Sequence, residues 1–340
     1  MKFISRRSFL ATASVAAAGT LAHNLANAQQ PIVLRVSSSM PVDPNSAHYV
    51  WFEKFSSAVK AAVGDRIRLD YFPNSQMGKE ADIVQQVKVG SADMMISGSS
   101  IWATLAPEIG VLDLGYMFDS FDHGGKALDR GVGDQLSKIL FERANVSVIG
   151  WGFGFGARSV YTKAPVKALA DLRGVKLRVL PTPAFIETFQ VMNAVPTPIP
   201  INELYTALQT GVVDGFEHDP ATVLSSKFYE VSKYCFLTEH LFGPVCAVIG
   251  KRGLEKIPAD LKPAVLKAAA DATNYQRGIA AERAKSATQE LQGLGMVYTP
   301  MPTAERRSVQ DAMAKRVWAK FAETYPLSKP IFEAVSEARA

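Results

Sequence analysis

The stretch GVKLRVLPTPAF (174–185) places an arginine inside an apolar strand: alternation sets Val175, Leu177 and Val179 on one face, Lys176 and Arg178 on the other. Pro181 stops the strand. Arginine is rarely buried without a partner, so Arg178 needs either an acid across the domain or a bound anion. A second group of chemistry-bearing residues follows in GFEHDP (215–220), where Glu217, His218 and Asp219 form a possible acid/base or hydroxyl-binding cluster. Their structural alternatives are a satisfied buried histidine and a cap for the helix expected at PATVLSSKF. Beside them Phe216 is either ordinary core or a wall of the site. Of the four tryptophans, Trp151 alone lies where a cleft is expected, and core is its alternative too.

Catalytic signatures are missing around these residues, and an enzyme is not expected. The run GWGFGFGAR (150–158) has alternating glycines without the G-x-G-x-x-G order of a dinucleotide site. There is no G-x-S-x-G elbow, the four histidines beyond His23 lack metal-ligand spacing, and no nucleophile accompanies Glu217, His218 and Asp219. No cofactor and no metal are expected.

The chain opens MKFISRRSFLATASVAAAGTLAHNLANAQQ: a basic start, a weakly apolar Ala-rich core and a small-residue cleavage site at Ala26-Asn27-Ala28. The paired arginines before Ser-Phe-Leu look like a twin-arginine signal over residues 1–28, and predict export to a bacterial periplasm. No later run approaches ~20 apolar residues, and neither cysteine is near the cleavage site, so a spanning helix and a lipid anchor are both unexpected. The formal charge of +5 falls to +2 once the three cations of the signal are removed, which implies no nucleic acid. Cys235 and Cys246 flank what reads as a hairpin turn at His240–Gly243; a disulfide and two buried thiols are equally compatible with that spacing.

These residues must be positioned by a larger frame. Residues 67–99 and 175–219 share one grammar: a strand ended by Pro73 or Pro181, a helix closed by Gly90 or Gly211, and an aspartate three residues on, Asp93 or Asp214. Two β-α-β units predict two similar α/β lobes, which suits a chain beyond the usual single-core limit of ~250–300 residues. A helix is expected after Asn45 or Ser46 with a buried stripe of Tyr49, Phe52, Phe55, Val59 and Val63, another over 123–143, and a long one from Pro258 able to cross both lobes. Ligands of open α/β sheets bind beyond the carboxyl ends of the strands, so Ser97–Ser100, Arg178–Thr182 and Gly215–Asp219 should converge on one cleft.

The segments NSQMGKE (74–80), GAR (156–158), DLRGVKLRV (171–179), VPTPIPINELYTALQTGVVDG (195–215) and SKFYEVSKY (226–234) together resemble the solute-binding proteins of TRAP transporters, of the C4-dicarboxylate- and sialate-binding type. The resemblance runs from about Val33 to at least Leu261. It implies a two-lobe α/β periplasmic binding fold with a hinge and a long helix crossing both lobes. Lobe 1 would take 29–155 and 244–283, lobe 2 would take 156–243, and 284–340 would continue the long helix into C-terminal helices on lobe 2 and the hinge. It implies that Arg178 grips a ligand carboxylate through two hydrogen bonds, that Arg158 supports it, and that Glu80 lies on the ligand side; a structural salt bridge and a helix-start carboxylate are the alternatives for the last two. Where the family has DGQENP this chain has DGFEHDP, which implies a hydroxylated or sugar acid, with a C4-dicarboxylate as the alternative. The implied partners are a small organic acid and a membrane complex of a small and a large subunit, with the receptor itself a monomer. A periplasmic enzyme or a sensor partner acting on organic acids is the remaining alternative.

Overall fold

The computed structural model describes residues 30–339, so the expected export signal at 1–28 lies outside the described residues. The strands form two sheets. The first contains β1 (Ile32–Ser38), β2 (Ile67–Phe72), β3 (Met94–Gly98), β4 (Val146–Phe153) and β10 (Pro244–Gly250), in the order β2-β1-β3-β10-β4. Strand β10 runs against both neighbours. The second contains β5 (Arg158–Thr162), β6 (Lys176–Val179), β7 (Val195–Pro198), β8 (Gly215–His218), β9 (Tyr234–Leu241) and β11 (Val297–Pro300), in the order β11-β9-β5-β8-β6-β7. Here β5 is antiparallel to β8 and β9. Strand β10, PVCAVIG, is buried along its whole length, as a near-continuous apolar run between two covered faces should be.

Helices α1 (Ala47–Val63), α2 (Glu80–Val89), α3 (Phe121–Ala127), α4 (Gly133–Ala144) and α8 (Lys251–Lys256) accompany the first sheet. Helices α5 (Pro183–Val191), α6 (Leu204–Gln209) and α7 (Pro220–Ser225) accompany the second. Ser46 caps α1, its Oγ accepting from Tyr49 N at 3.4 Å. The buried stripe of α1 is rotated from the expected one, passing through Val50 and Trp51 while Tyr49 is only half-buried. The reason is α9 (Lys262–Gly293), which packs against α1 and takes a hydrogen bond from Trp51 Nε1 on Thr273 Oγ1 at 2.8 Å. Its 32 residues extend about 48 Å. It touches β4 of the first lobe and α7 of the second. The helix expected over 123–143 is broken into α3 and α4 at Gly131, whose φ of 110° no helix accommodates.

The two aspartates that marked the repeated grammar are used alike. Asp93 accepts from the backbone N–H of Arg35 in β1 at 2.9 Å, and Asp214 from that of Lys176 in β6 at 3.0 Å, each tying a neighbouring strand to the start of its own. The chain passes between sheets after β4, after β9 and again between β10 and β11. The segment His240–Gly243 is therefore a crossing rather than a hairpin. Cys235 in β9 and Cys246 in β10 lie in different sheets, and both are buried free thiols. Beyond β11, α10 (Thr303–Ala312), a wide turn at Met313–Trp318 and α11 (Ala319–Thr324) follow, the turn packing on α5. The last helix, α12 (Lys329–Glu337), instead packs on α3 of the first lobe, with His123 Nε2 2.7 Å from Val335 O.

Candidate ligand-binding site

The carboxyl ends of β1, β3 and β4 face those of β6, β8 and β9 across one cavity, joined there by the amino ends of β5 and β10. Arg178, Arg158, His218, Asp219 and Glu80 line it; Glu217, Phe216 and Trp151 do not.

Arg178 is held in β6 between β7 and β8, with Leu177 and Val179 buried on the opposite face. Its side chain is 1 % exposed. Nε donates to Ile199 O at 2.7 Å, while Nη1 is buried with no hydrogen-bond partner. Among the described residues no carboxylate comes within 4.0 Å of the guanidinium. Burial lowers its pKa to about 10, only partly countered by Glu217, so it stays a cation at neutral pH.

Arg158, the first residue of β5, is in the opposite situation. Glu217 stands across the ladder on β8 and takes its Nε at 2.6 Å and its Nη2 at 2.7 Å, a two-pronged pair. Glu217 is fully buried, and His240 Nε2 lies 3.3 Å from the same carboxylate. Burial opposes ionisation of Glu217, but Arg158 and His240 outweigh it and hold the carboxyl at about 2. Phe185 lies under the Arg158 guanidinium, 5.2 Å from the ring centre.

The neighbouring polar residues are mostly occupied with one another. Asp219 caps α7: Oδ1 accepts from Thr222 N and Oδ2 from Thr222 Oγ1, both at 2.9 Å, and His218 Nδ1 lies 2.8 Å from Oδ2. Glu80 is half-buried and accepts from Ser39 Oγ at 2.8 Å; burial raises its pKa, moderated by that bond and by the two arginines. Phe216 stacks on Tyr161 in the core, ring centres 5.2 Å apart. Trp151 turns away from the cavity to donate to Ser137 Oγ of α4 at 3.2 Å.

Ser100 lies in the Ser97–Ser100 stretch expected here, but three polar cavity residues were not picked out from the sequence: His48, Asp113 and Thr222. His48 follows the cap of α1 and pairs its Nδ1 with Ser38 Oγ at 2.9 Å. Burial lowers its pKa to about 4, so it is neutral at physiological pH. Its place directly after the cap signal Asn45-Ser46, beyond the end of β1, was the available clue. Asp113 ends an irregular 3₁₀ segment, Pro107–Asp113, and among the described residues its carboxylate has Ser99 Oγ as its only donor, 3.1 Å from each oxygen. Burial raises its pKa to about 7 despite that bond.

The cavity thus brings together a guanidinium paired with Glu217, a guanidinium with no carboxylate within 4.0 Å among the described residues, a neutral imidazole, hydroxyls and the carboxylates of Glu80, Asp113 and Asp219. Among the described residues no cluster of three or more metal-ligating groups occurs, and no helix is long and apolar enough to cross a membrane.

Comparison with known proteins accords with this arrangement. Residues 38–324 match the family described as bacterial extracellular solute-binding protein, family 7. The chain is 31 % identical over 294 residues to the 2,3-diketo-L-gulonate-binding periplasmic protein of Escherichia coli, covering 86 % of this chain and 88 % of that one. A TRAP periplasmic solute-binding protein of Bradyrhizobium, solved with galacturonate, superposes with a TM-score of 0.82 at 32 % identity, over 89 % of this chain and 99 % of that one. The sugar acid binding protein of Advenella mimigardefordensis, solved with galactonate, gives 0.85 at 25 % identity, over 91 % and 99 %. With most of its length matched in both sequence and fold, the chain belongs to the family 7 extracellular solute-binding proteins, the periplasmic receptors of TRAP transport, which bind solutes and are not enzymes.

Proposed function

We propose that this receptor captures a hydroxylated monocarboxylate, a sugar acid, by a two-pronged salt bridge from Arg178, and delivers it to a small and a large membrane subunit after export through a twin-arginine signal. The observation that carries the reading is the buried Arg178 cation with Nη1 unpartnered, beside an Arg158 already neutralised by Glu217. A buried charge lacking a partner costs several kcal/mol, and a ligand carboxylate that supplies the partner recovers much of that cost (on the order of 2–5 kcal/mol for a buried charge pair). Only one guanidinium is free, so one carboxylate is favoured over two. His48, Asp113, Ser100 and Thr222 provide bonding groups for hydroxyls around it. The sugar acids in the related structures from Bradyrhizobium and Advenella support the same class.

Titration calorimetry of the mature protein against galacturonate, galactonate, gluconate, succinate and malate tests this. Sugar acids should bind at one site, at least tenfold more tightly than either dicarboxylate, and Arg178→Ala should remove the binding. Preference for succinate, or binding unaffected by Arg178→Ala, would overturn the assignment.

A further inference from the structure

Behind the ligand cavity lies a second compartment of about 80 Å³, and the two share Ser100 and Asp113 as a common wall. It is bounded by Ala103 and Gly110 of the first lobe, Thr182 and Ala184 of the second, and Phe321 and Tyr325 of the C-terminal segment. Its volume is enough for several groups the size of a water, each needing about 10–15 Å³ on this measure. Its far walls are apolar. Two polar groups of its lining are underused, Asp113 on the shared wall and Thr182, which lines this compartment alone. The Asp113 carboxylate, 4 % exposed, has one hydroxyl donor where it has room for about four bonds. Thr182 Oγ1, on a residue 3 % exposed, has no partner and does not cap α5, although it precedes that helix.

We infer that this compartment is a distal subsite of the ligand site, which receives the end of an extended polyhydroxylated acid remote from the anchored carboxylate, with Asp113 and Thr182 bonding its last hydroxyls. The inference rests on the Arg178 reading above and adds a length requirement to it. On this reading a four-carbon acid held at Arg178 stays within the main cavity, whereas a six-carbon aldonate extends to Asp113, which has one hydroxyl donor, and to Thr182, whose hydroxyl has no partner among the described residues. The apolar rings of Phe321 and Tyr325 then cover the end of the chain and exclude water from those bonds. Asp113 also sets the sign of the preference above about pH 7, where its carboxylate is ionised, accepts from hydroxyls and repels a second carboxylate.

The test is calorimetry on the mature protein with erythronate, arabinonate and galactonate, acids of four, five and six carbons, against the native chain, Asp113→Asn, Ala103→Leu and the smaller Ala103→Val. Native affinity should rise at least tenfold from erythronate to galactonate. Filling the compartment with Ala103→Leu should cost galactonate at least tenfold and leave erythronate within twofold, with Ala103→Val intermediate, and Asp113→Asn should weaken both acids, galactonate the more. Thermal unfolding of each variant without ligand checks that it is folded, and Ala103→Val serves if the leucine is not accommodated. Equal native affinity for the three acids, or Ala103 variants that weaken all alike or none, would overturn the distal subsite while leaving the Arg178 reading intact. Failure of every acid to bind would overturn both.

Discussion

Arg158 and Arg178 enter the same cavity from neighbouring parts of one sheet, both buried, and differ chiefly in pairing: Arg158 has Glu217, and among the described residues Arg178 has no carboxylate within 4.0 Å. The first is part of the wall. The second is the proposed anchor for the ligand. Burial alone therefore fails to identify a binding cation; what identifies it is burial without compensation, because a fold keeps such a charge only where something outside the chain completes it. The difference is set by register: Glu217 stands opposite Val160 on β8, close to where β5 begins with Arg158, whereas β6 carries Arg178 beside β7, whose Thr197 and Pro198 offer no acid.

The comparison can be broken most severely on the Arg158 side. Glu217→Gln leaves a buried guanidinium unpaired, and Arg158→Met leaves a buried carboxylate, so each should lose about 3–5 kcal/mol of stability in urea unfolding without ligand. The double variant should recover much of that loss. Arg178→Met should behave oppositely, unfolding at the same or a higher urea concentration than the native chain, while losing on the order of 2–5 kcal/mol of ligand affinity by calorimetry. Arg178→Lys should be nearly as damaging to binding, since an ammonium lacks the two-pronged fork. If the two arginines shift stability in the same direction by like amounts, the distinction between wall and anchor is lost.

Much of this was legible in the sequence. Alternation within LRVLP exposed Arg178 as an arginine on an apolar strand, and the Gly-to-Asp spacing exposed two like halves, because both depend on local periodicity. What escaped depends on tertiary contacts. The GFEHDP segment reads as a ligand-binding cluster, yet Phe216 stacks on Tyr161, Glu217 is taken up by Arg158, and Asp219 is engaged by Thr222 and His218. Strand alternation does not reveal which carboxylate already has a partner. The turn at His240–Gly243 looks like a hairpin because its flanks alternate suitably, and only the pairing of β9 and β10 with different sheets makes it a crossing. Asp113 lies in a 3₁₀ segment with no usable period, so nothing in the sequence separates it from the surface carboxylates.

The neutral histidine sharpens the electrostatic picture at a smaller scale. With its pKa lowered from 6.5 to about 4, buried His48 refuses a proton that the unfolded chain accepts as pH falls below 6.5. Its contribution is present in full above pH 6.5 and lost progressively between 6.5 and about 4, amounting to about 2–3 kcal/mol at the lower end. His48→Gln should flatten that part of the curve of stability against pH. The decisive measurement is urea unfolding of both proteins from pH 4 to pH 7.5; parallel curves would show that His48 titrates alike in the folded and unfolded chains.

Asp113 should produce the reverse dependence, and a smaller one. Its carboxyl is raised from 3.8 to about 7 by burial, with one hydroxyl to offset the cost, so the folded chain keeps a proton that the unfolded chain releases. Below pH 3.8 both states hold it and there is no penalty. Between 3.8 and 7 the folded state binds more protons, hence stability falls as pH rises, and above 7 the full cost of burying the charge is present. Asp113→Asn removes the ionisation while keeping the shape and a hydrogen bond with Ser99. It should be neutral near pH 4 and stabilise the ligand-free protein on the order of 2 kcal/mol at pH 8, discounted from the size of the shift because Arg158 shares the cavity. Unfolding at those two pH values separates the contribution of Asp113 from that of His48, which has ceased to change by pH 8. A destabilisation of the variant at pH 8 would mean that the carboxylate is held by a protein partner, as Glu217 is, and would place Asp113 on the structural side of the comparison.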